Sequence, residues 1–501
     1  MVSLLNAFFL LPLIWAELTA AELPAGTILE IRLLTAVSSH DAKRGDLVRG
    51  LTVVPVRSAN GDLLLPVGTI VQGRVERVHR VGLGLIHETA SLHLRMDEVL
   101  TRNHDPQPIE TRLLSVDNAR EKVDRLGTIH GIRATASMAH RLHRRALGLM
   151  TWHPIVGVSA AIAANILFKF PEPEINYLPG TELHARLEQP LSLEPVPESL
   201  DQARDLTTAE GTSFAEAVAN MPEWTHRPLS TKPIDPTNLL FVGDRQRLER
   251  AFAAAGWDPA DRITGRSRLQ SIRAVAESRP YRDAPMSPMQ LAGRTPDILR
   301  QRGLNTFTKR HHVRIWRQPE TVDGEELWLG AATHDTSVCP TFRPLGFSHH
   351  IEAKVDLERQ KVLHDLILTG CVASHGIVDR ATAAESQLRS TKHLSTDEAV
   401  VIIRLNECRA PLPVPVNEAL RIPQPNRATR VTRRITLTAR NYVLRENIAF
   451  RAYDAARLVW FIVGKAGRTQ AEPMPQRSFS TAERFAVPAG PVASVQGTLA
   501  Q

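Results

Sequence analysis

Only three cysteines, Cys339, Cys371 and Cys408, occur in 501 residues. So few exclude a disulfide framework, and their spacing is not that of a zinc ribbon. They read as isolated buried cysteines; in an oxidising compartment one pair can bridge and leave one thiol free. No block of five or more Lys or Arg occurs, although the formal net charge is +8. The arginine excess is therefore modest, and it favours anionic partners such as lipid headgroups or phosphate esters. Gly-x-Ser-x-Gly elbows, phosphate-binding loops, dinucleotide fingerprints and His-Glu-x-x-His helices are all absent, so no cofactor is indicated and the metal content stays open.

Two apolar stretches stand out. Residues 2–16 carry no Lys, Arg, Asp or Glu, and small residues follow at Thr19, Ala20 and Ala21. This pattern resembles a secretory signal peptide or N-terminal anchor over 1–21, which places the protein in the periplasm or on the cell envelope and argues against nucleic acid as a partner. Residues 146–168 are also free of Lys, Arg, Asp and Glu and follow Arg141, Arg144 and Arg145. Length permits a membrane span. His153, Pro154 and Asn165 interrupt the run, so a buried or membrane-surface helical element is expected instead, with membrane contact through 146–168.

A short device recurs: Leu23-Pro24-Ala25-Gly26-Thr27, Leu65-Pro66-Val67-Gly68-Thr69 and Leu178-Pro179-Gly180-Thr181. Proline presets φ and glycine accepts φ > 0, which makes each a turn. Each precedes an alternating run, Ile28–Leu33, Ile70–Val75 and Glu182–Leu187, that reads as a strand with one buried face. With Leu51–Val56 and Ala90–Met96 they predict an antiparallel β-barrel or sandwich-like module over 22–188. A helical apolar insertion at 115–170 interrupts it, and the third copy brings the chain back. Residues 189–237, rich in proline, read as a linker with little regular structure.

A second domain spans 238–410 and reads as an α/β (α+β) layered unit. It opens on a strand at 238–243, and Asp244 caps a helix from Arg245 to Ala255 that ends at Gly256. A helix at 267–277, strands at His311–Trp316 and Glu326–Thr333, a helix at 353–369 and a strand at Ala399–Leu405 complete it. Asp356 with Arg359 and Glu358 with Lys361 have the i, i+3 spacing of local helical ion pairs. Residues 411–467 form a basic extension, and 468–501 read as a disordered tail.

The candidate site lies in this domain. Even-numbered residues of one strand share a face. If Val313 and Ile315 are buried, then His312, Arg314 and Trp316 face the other way, with Trp328 extending that face. His334 and Asp335 would end the next strand at a cleft, with His349 close behind. Three readings follow: a divalent metal held by His312, Asp335 and His349 or His350; an acid–base pair of His312 and Asp335 beside an anion-holding Arg314; or a purely structural polar network.

The ordered segments Gly293-Arg294, His311-His312-Val313-Arg314-Ile315-Trp316, Gly330-Ala331-Ala332-Thr333-His334-Asp335, Ser348-His349-His350-Ile351 and Asp356-Leu357-Glu358-Arg359 resemble the LssY C-terminal-domain family of bacterial proteins. The resemblance implies a domain linked to the cell envelope, in relatives joined to DedA-like membrane segments and phosphatidic-acid phosphatase-like modules. Neither of those is present here. The expected function is that of an exported envelope protein binding an anionic lipid, a phosphate-containing ligand or an envelope partner. The alternative is a hydrolase of phosphate esters or lipid headgroups built on His312, Arg314, Asp335 and His349.

Overall fold

The computed structural model describes residues 21–84, 87–101, 105–197, 203–340, 347–380, 394–408 and 426–440, with a few isolated positions beyond. Residues 1–20 of the signal peptide or anchor expected over 1–21, and nearly all of the tail expected from 468, lie outside the described residues. Two domains emerge, a β-rich module and a mixed α/β domain.

In the module, each proline–glycine device, Pro-x-Gly in the first two copies and Pro-Gly in the third, closes a turn. Gly26, Gly68 and Gly180 take φ of 96°, 86° and 92°, and Thr27 N, Thr69 N and Thr181 N donate back to Pro24 O, Pro66 O and Leu178 O at 3.1–3.2 Å. The strands are β1 (Ile28–Leu33), β2 (Leu47–Thr52), β3 (Ile70–His79), β4 (Ser91–Leu100), β5 (Thr111–Val116), β6 (Thr128–His130) and β7 (Glu182–Leu187). They pair antiparallel in the order β5-β7-β1-β2-β3-β4-β6. Ile109 N donates to Asp97 O at 2.9 Å and Thr111 Oγ1 to Met96 O at 2.7 Å, linking the start of β5 to β4 and nearly closing a barrel. The returning third copy, β7, fits between β5 and β1, as the repeated turn predicted.

The insertion is a hairpin of α1 (Met138–Gly148) and α2 (Pro154–Leu167). Ser137 caps α1 by accepting from His140 N, and Pro154 opens α2, where its missing N–H costs nothing. At 14 residues, α2 is about 21 Å long against about 30 Å of hydrocarbon. No helix among the described residues is long and apolar enough to cross a membrane. Nor is the element buried: Gly157 and Ala161 are the α2 residues turned inward, while Trp152, Ile155 and Ile166 are 91%, 72% and 72% exposed.

In the second domain, β8 (Leu239–Val242), β9 (Ile298–Arg302), β10 (Arg310–Val322), β11 (Glu325–Pro340), β12 (Phe347–Ile351), β13 (Val372–Val378) and β14 (Val400–Leu405) form a mixed sheet. Its order is β13-β14-β8-β11-β10-β9, with β12 on β11; β8 and β14 run parallel and the other neighbours antiparallel. Helix α3 (Thr208–Ala219) packs Phe214, Ala215 and Val218 on one face. Helices α4 (Arg245–Ala254) and α6 (Asp356–Ile367) cover the other with Leu248, Phe252, Val362 and Leu366, and α5 (Gly265–Ala276) lies beside the sheet near Phe307. Asp244 caps α4 as predicted. Helix α3 occupies what read as linker; its Thr207/Glu210 capping box is fully formed. Of the two i, i+3 pairs, Asp356–Arg359 forms at 3.2 Å, whereas Glu358 turns to His311 and Lys361 to Glu182 and Asp365. Helix α7 (Arg427–Ala439), from the basic extension, returns to the module, with Arg433 2.9 Å from Glu172.

The domains meet over a buried charge network. Arg32 of β1 bridges Glu182 of β7 and Asp365 of α6 at 2.7 and 2.6 Å. Arg302 of β9 spans the same two carboxylates at 3.0 and 2.7 Å. Lys361 completes it, 3.1 Å from Glu182 and bonded to Asp365. Trp257 Nε1 donates to Asp365 at 2.8 Å.

Candidate functional site

Strand β10 alternates as predicted, but both of its faces are covered. Arg310, His311, His312 and Arg314 are all buried, because helices or loops pack on each side of the sheet and the module docks on one of them. Residues Arg310, His312, Arg314 and Trp316 share one face, paired across to Asp335, Thr333, Ala331 and Leu329. Trp316 is core, its Nε1 donating to Arg294 O at 3.0 Å. Trp328 does not extend this face. It pairs with Arg317 and packs with Val313 and Ile315 in the opposite core, because cross-strand partners lie on the same side of a sheet. Asp335 is not at a strand end either, since β11 continues to Pro340 and pairs there with β12.

Three of the four expected residues converge. His349 Nδ1 lies 2.9 Å and His312 Nδ1 3.8 Å from Asp335 Oδ2, with Arg310 Nη2 at 3.5 Å. His312 Nε2 meets Thr333 Oγ1 at 2.8 Å. Burial would raise the Asp335 carboxyl, but the His312 and His349 imidazoles and the Arg310 guanidinium outweigh it and hold Asp335 well below the ordinary range. Burial pushes His312 down to about 3, helped by Arg314 and Arg310 against the opposing pull of Asp335, so at neutral pH His312 is an uncharged imidazole. Arg314 does not join them: its Nη1 bonds Asp235 at 3.0 Å and its Nη2 bonds Ser287 Oγ at 3.1 Å. The result is an Asp335–His349 dyad at the end of the polar row, His349 being its most solvent-accessible member. An imidazole oriented by a carboxylate in this way can accept a proton from a water.

A second constellation lies on the opposite face. His311 and His334 are cross-strand partners, stacked at 4.4 Å with 22° between their rings. His311 Nε2 is 2.7 Å from Asp117 and Nδ1 2.7 Å from Glu358. His334 Nε2 is 2.7 Å from Asn118 Oδ1. Asp117 and Asn118 follow β5 in the module, so this cluster exists only where the domains meet. Burial lowers an imidazole's affinity for a proton, yet Glu358 and Asp117 together raise His311 to about 10. Sequence reading assigned His311 to the buried face and missed the cluster. Asp117 lies 194 residues away, and nothing local marks it as the partner.

No curated protein matches this chain. Among solved structures, ComB10 of the Com type IV secretion system of Helicobacter pylori aligns with 36% of this chain and 93% of its own at 11% identity and a TM-score of 0.20, a score from which no common fold is inferred. Residues 218–400, which hold strands β8 to β13, the histidines of both clusters and helices α4 to α6, match the family model described as the LssY C-terminus.

Proposed function

We propose that this is an exported envelope protein that docks on an anionic lipid surface through the α1–α2 hairpin, holding its LssY-like domain beside the membrane. The observation that carries this reading is the exposed apolar face of the hairpin, with Trp152, Ile155, Val156, Ile162 and Ile166 facing solvent. Exposed Arg141, Arg144 and Arg145 border it on α1. Isolated exposed apolar residues need no explanation, but a contiguous uncharged face marks an interaction surface. Tryptophan and aliphatic side chains beside arginines suit a helix lying in the headgroup region. An open groove of ≈ 540 Å³, walled by Leu147, Val158, Ala161, Ile162 and Ile166 with Arg434 of α7, continues the same chemistry. The leader-like run at 2–16 and the Cys371–Cys408 disulfide support export to an oxidising compartment.

Co-sedimentation of the full chain with phosphatidylglycerol–phosphatidylcholine vesicles tests this. We expect binding that falls at least tenfold on pure phosphatidylcholine, and at least tenfold in the triple variant Trp152→Ser, Ile155→Ser, Ile166→Ser. Binding unchanged in that variant would assign the affinity to the N-terminal run instead. A dimer lost in the same variant would assign the face to a second copy. Either result sinks the hairpin reading.

The Asp335–His349 pair supports a second reading, a hydrolase acting on phosphate esters or lipid headgroups with His349 as general base. Its expected anion-holding residue, Arg314, is engaged by Asp235, which leaves Arg310 as the cation nearest Asp335. On this reading His349→Ala lowers phosphodiester or phosphomonoester turnover by about 10²–10⁴-fold while the melting temperature holds. Equal rates for both proteins would discard it.

A further inference from the structure

We propose that Asp117, His311 and His334 form a binding site for a divalent transition-metal ion at the seam between the two domains. One nitrogen of each ring and one Asp117 oxygen all lie within 4.8 Å of one another. Two imidazoles and a carboxylate suit Zn²⁺ and its neighbours in the series rather than Ca²⁺ or Mg²⁺, and leave a fourth position for water. Asp117 and His334 are only partly buried, so an ion has a way in.

The neighbours of the rings support the assignment. Glu358 faces His311 Nδ1 and Asn118 Oδ1 faces His334 Nε2, each at 2.7 Å. Both are acceptors, so each holds a proton on the nitrogen it meets and leaves the other nitrogen of that ring with a lone pair. Acceptors behind imidazole ligands are the usual means of orienting them and raising their basicity. On His311 the remaining nitrogen is Nε2, and it faces Asp117 Oδ2 at 2.7 Å. In the ion-free chain a second ring proton bridges those two atoms; it serves His311 and Asp117 alone and leaves His334 stacked on an imidazolium. A metal ion uses all three donors, at bond lengths of about 2.0–2.2 Å.

The site differs from the Asp335 dyad and does not depend on membrane docking. Because Asp117 belongs to the module and the histidines to the second domain, a bound ion clips the two together. The test is calorimetric titration of the EDTA-stripped full chain with Zn²⁺, and with Co²⁺ for its visible spectrum. We expect one equivalent per chain, a higher melting temperature with Zn²⁺, and Co²⁺ bands without thiolate charge transfer. Asp117→Asn and His334→Gln, which keep the shape of the interface, each weaken Zn²⁺ at least tenfold, and Glu358→Gln weakens it about 10–100-fold through His311. His349→Gln leaves it unchanged. An unsubstituted chain that takes up no Zn²⁺ overturns the proposal. So do retained affinity in both ligand variants, loss of binding in His349→Gln, and a thiolate band, which would point to Cys339.

Discussion

Asp365→Ala will destabilise the protein by about 3–5 kcal/mol, because it strips a carboxylate from a buried cluster and leaves the cations behind. Arg32, Arg302 and Lys361 surround Asp365 and Glu182, so the intact network carries three positive and two negative charges. Removing Asp365 leaves three cations on one buried carboxylate and orphans Trp257 Nε1. A melting temperature lower by roughly 10 °C follows for a domain of this size. Lys361→Met should cost far less, since it removes the surplus cation and leaves two charges of each sign. Equal losses for the two variants, measured by urea unfolding, would contradict this charge account. The network also sets an acid limit. Burial would raise Glu182, but Lys361, Arg302 and Arg32 lower it from 4.5 to about 2, and Arg302, Lys361 and Arg32 depress Asp365 against its burial as well. Groups depressed in the folded state contribute stability that is present above their unfolded pKa and disappears as pH falls through the folded one. Stability should therefore decline from about pH 4.5 towards pH 2, and the decline should shrink in Asp365→Ala.

How much of this was legible in the sequence depended on the range of the forces involved. The proline–glycine turns, the Asp244 cap and the β7 return were legible because turn chemistry and strand alternation are local. Helix α3 had a local signal too, the capping box from Thr207 to Glu210, but the prolines around it obscured that signal. The polar row on β10 shows where local reading stops. Alternation separates two faces, yet it cannot say which is wet when both are covered. His311 shares its side with Val313 and Ile315 and so read as core, although it meets two carboxylates. Those carboxylates arrive from α6 and from the end of β5, and the cation ring around Asp365 is assembled from β1, β9 and α6. Docking of one domain on the other makes these contacts, and no window of sequence contains both partners. Arg314 failed as an anion holder for a similar reason: Asp235, its partner, lies 79 residues earlier.

Reducing the Cys371–Cys408 bond should cost about 4 kcal/mol by the loop-entropy estimate, given a separation of 37 residues. The bond joins the residue before β13 to a residue just after β14, which are antiparallel neighbours with Val372 opposite Leu405. It thus clamps one end of the β13–β14 pair, while residues 381–393 lie within the loop it closes. Cys408 sits at φ 57°, a conformation uncommon away from glycine, and the bond together with the contact of Cys408 N with Asn406 Oδ1 at 2.7 Å fixes the chain there. Cys408→Ser should lose the same stability that a phosphine reductant removes from the native protein, and the reductant should then have no further effect on that variant. Cys339→Ser should change neither measurement, since Cys339 is the free, exposed thiol. Thiol titration offers a separate count: one reactive sulfur in the denatured but unreduced chain, three after reduction. Three before reduction would mean that the pair is open in the purified protein, removing both the clamp and the support it lends to an oxidising compartment.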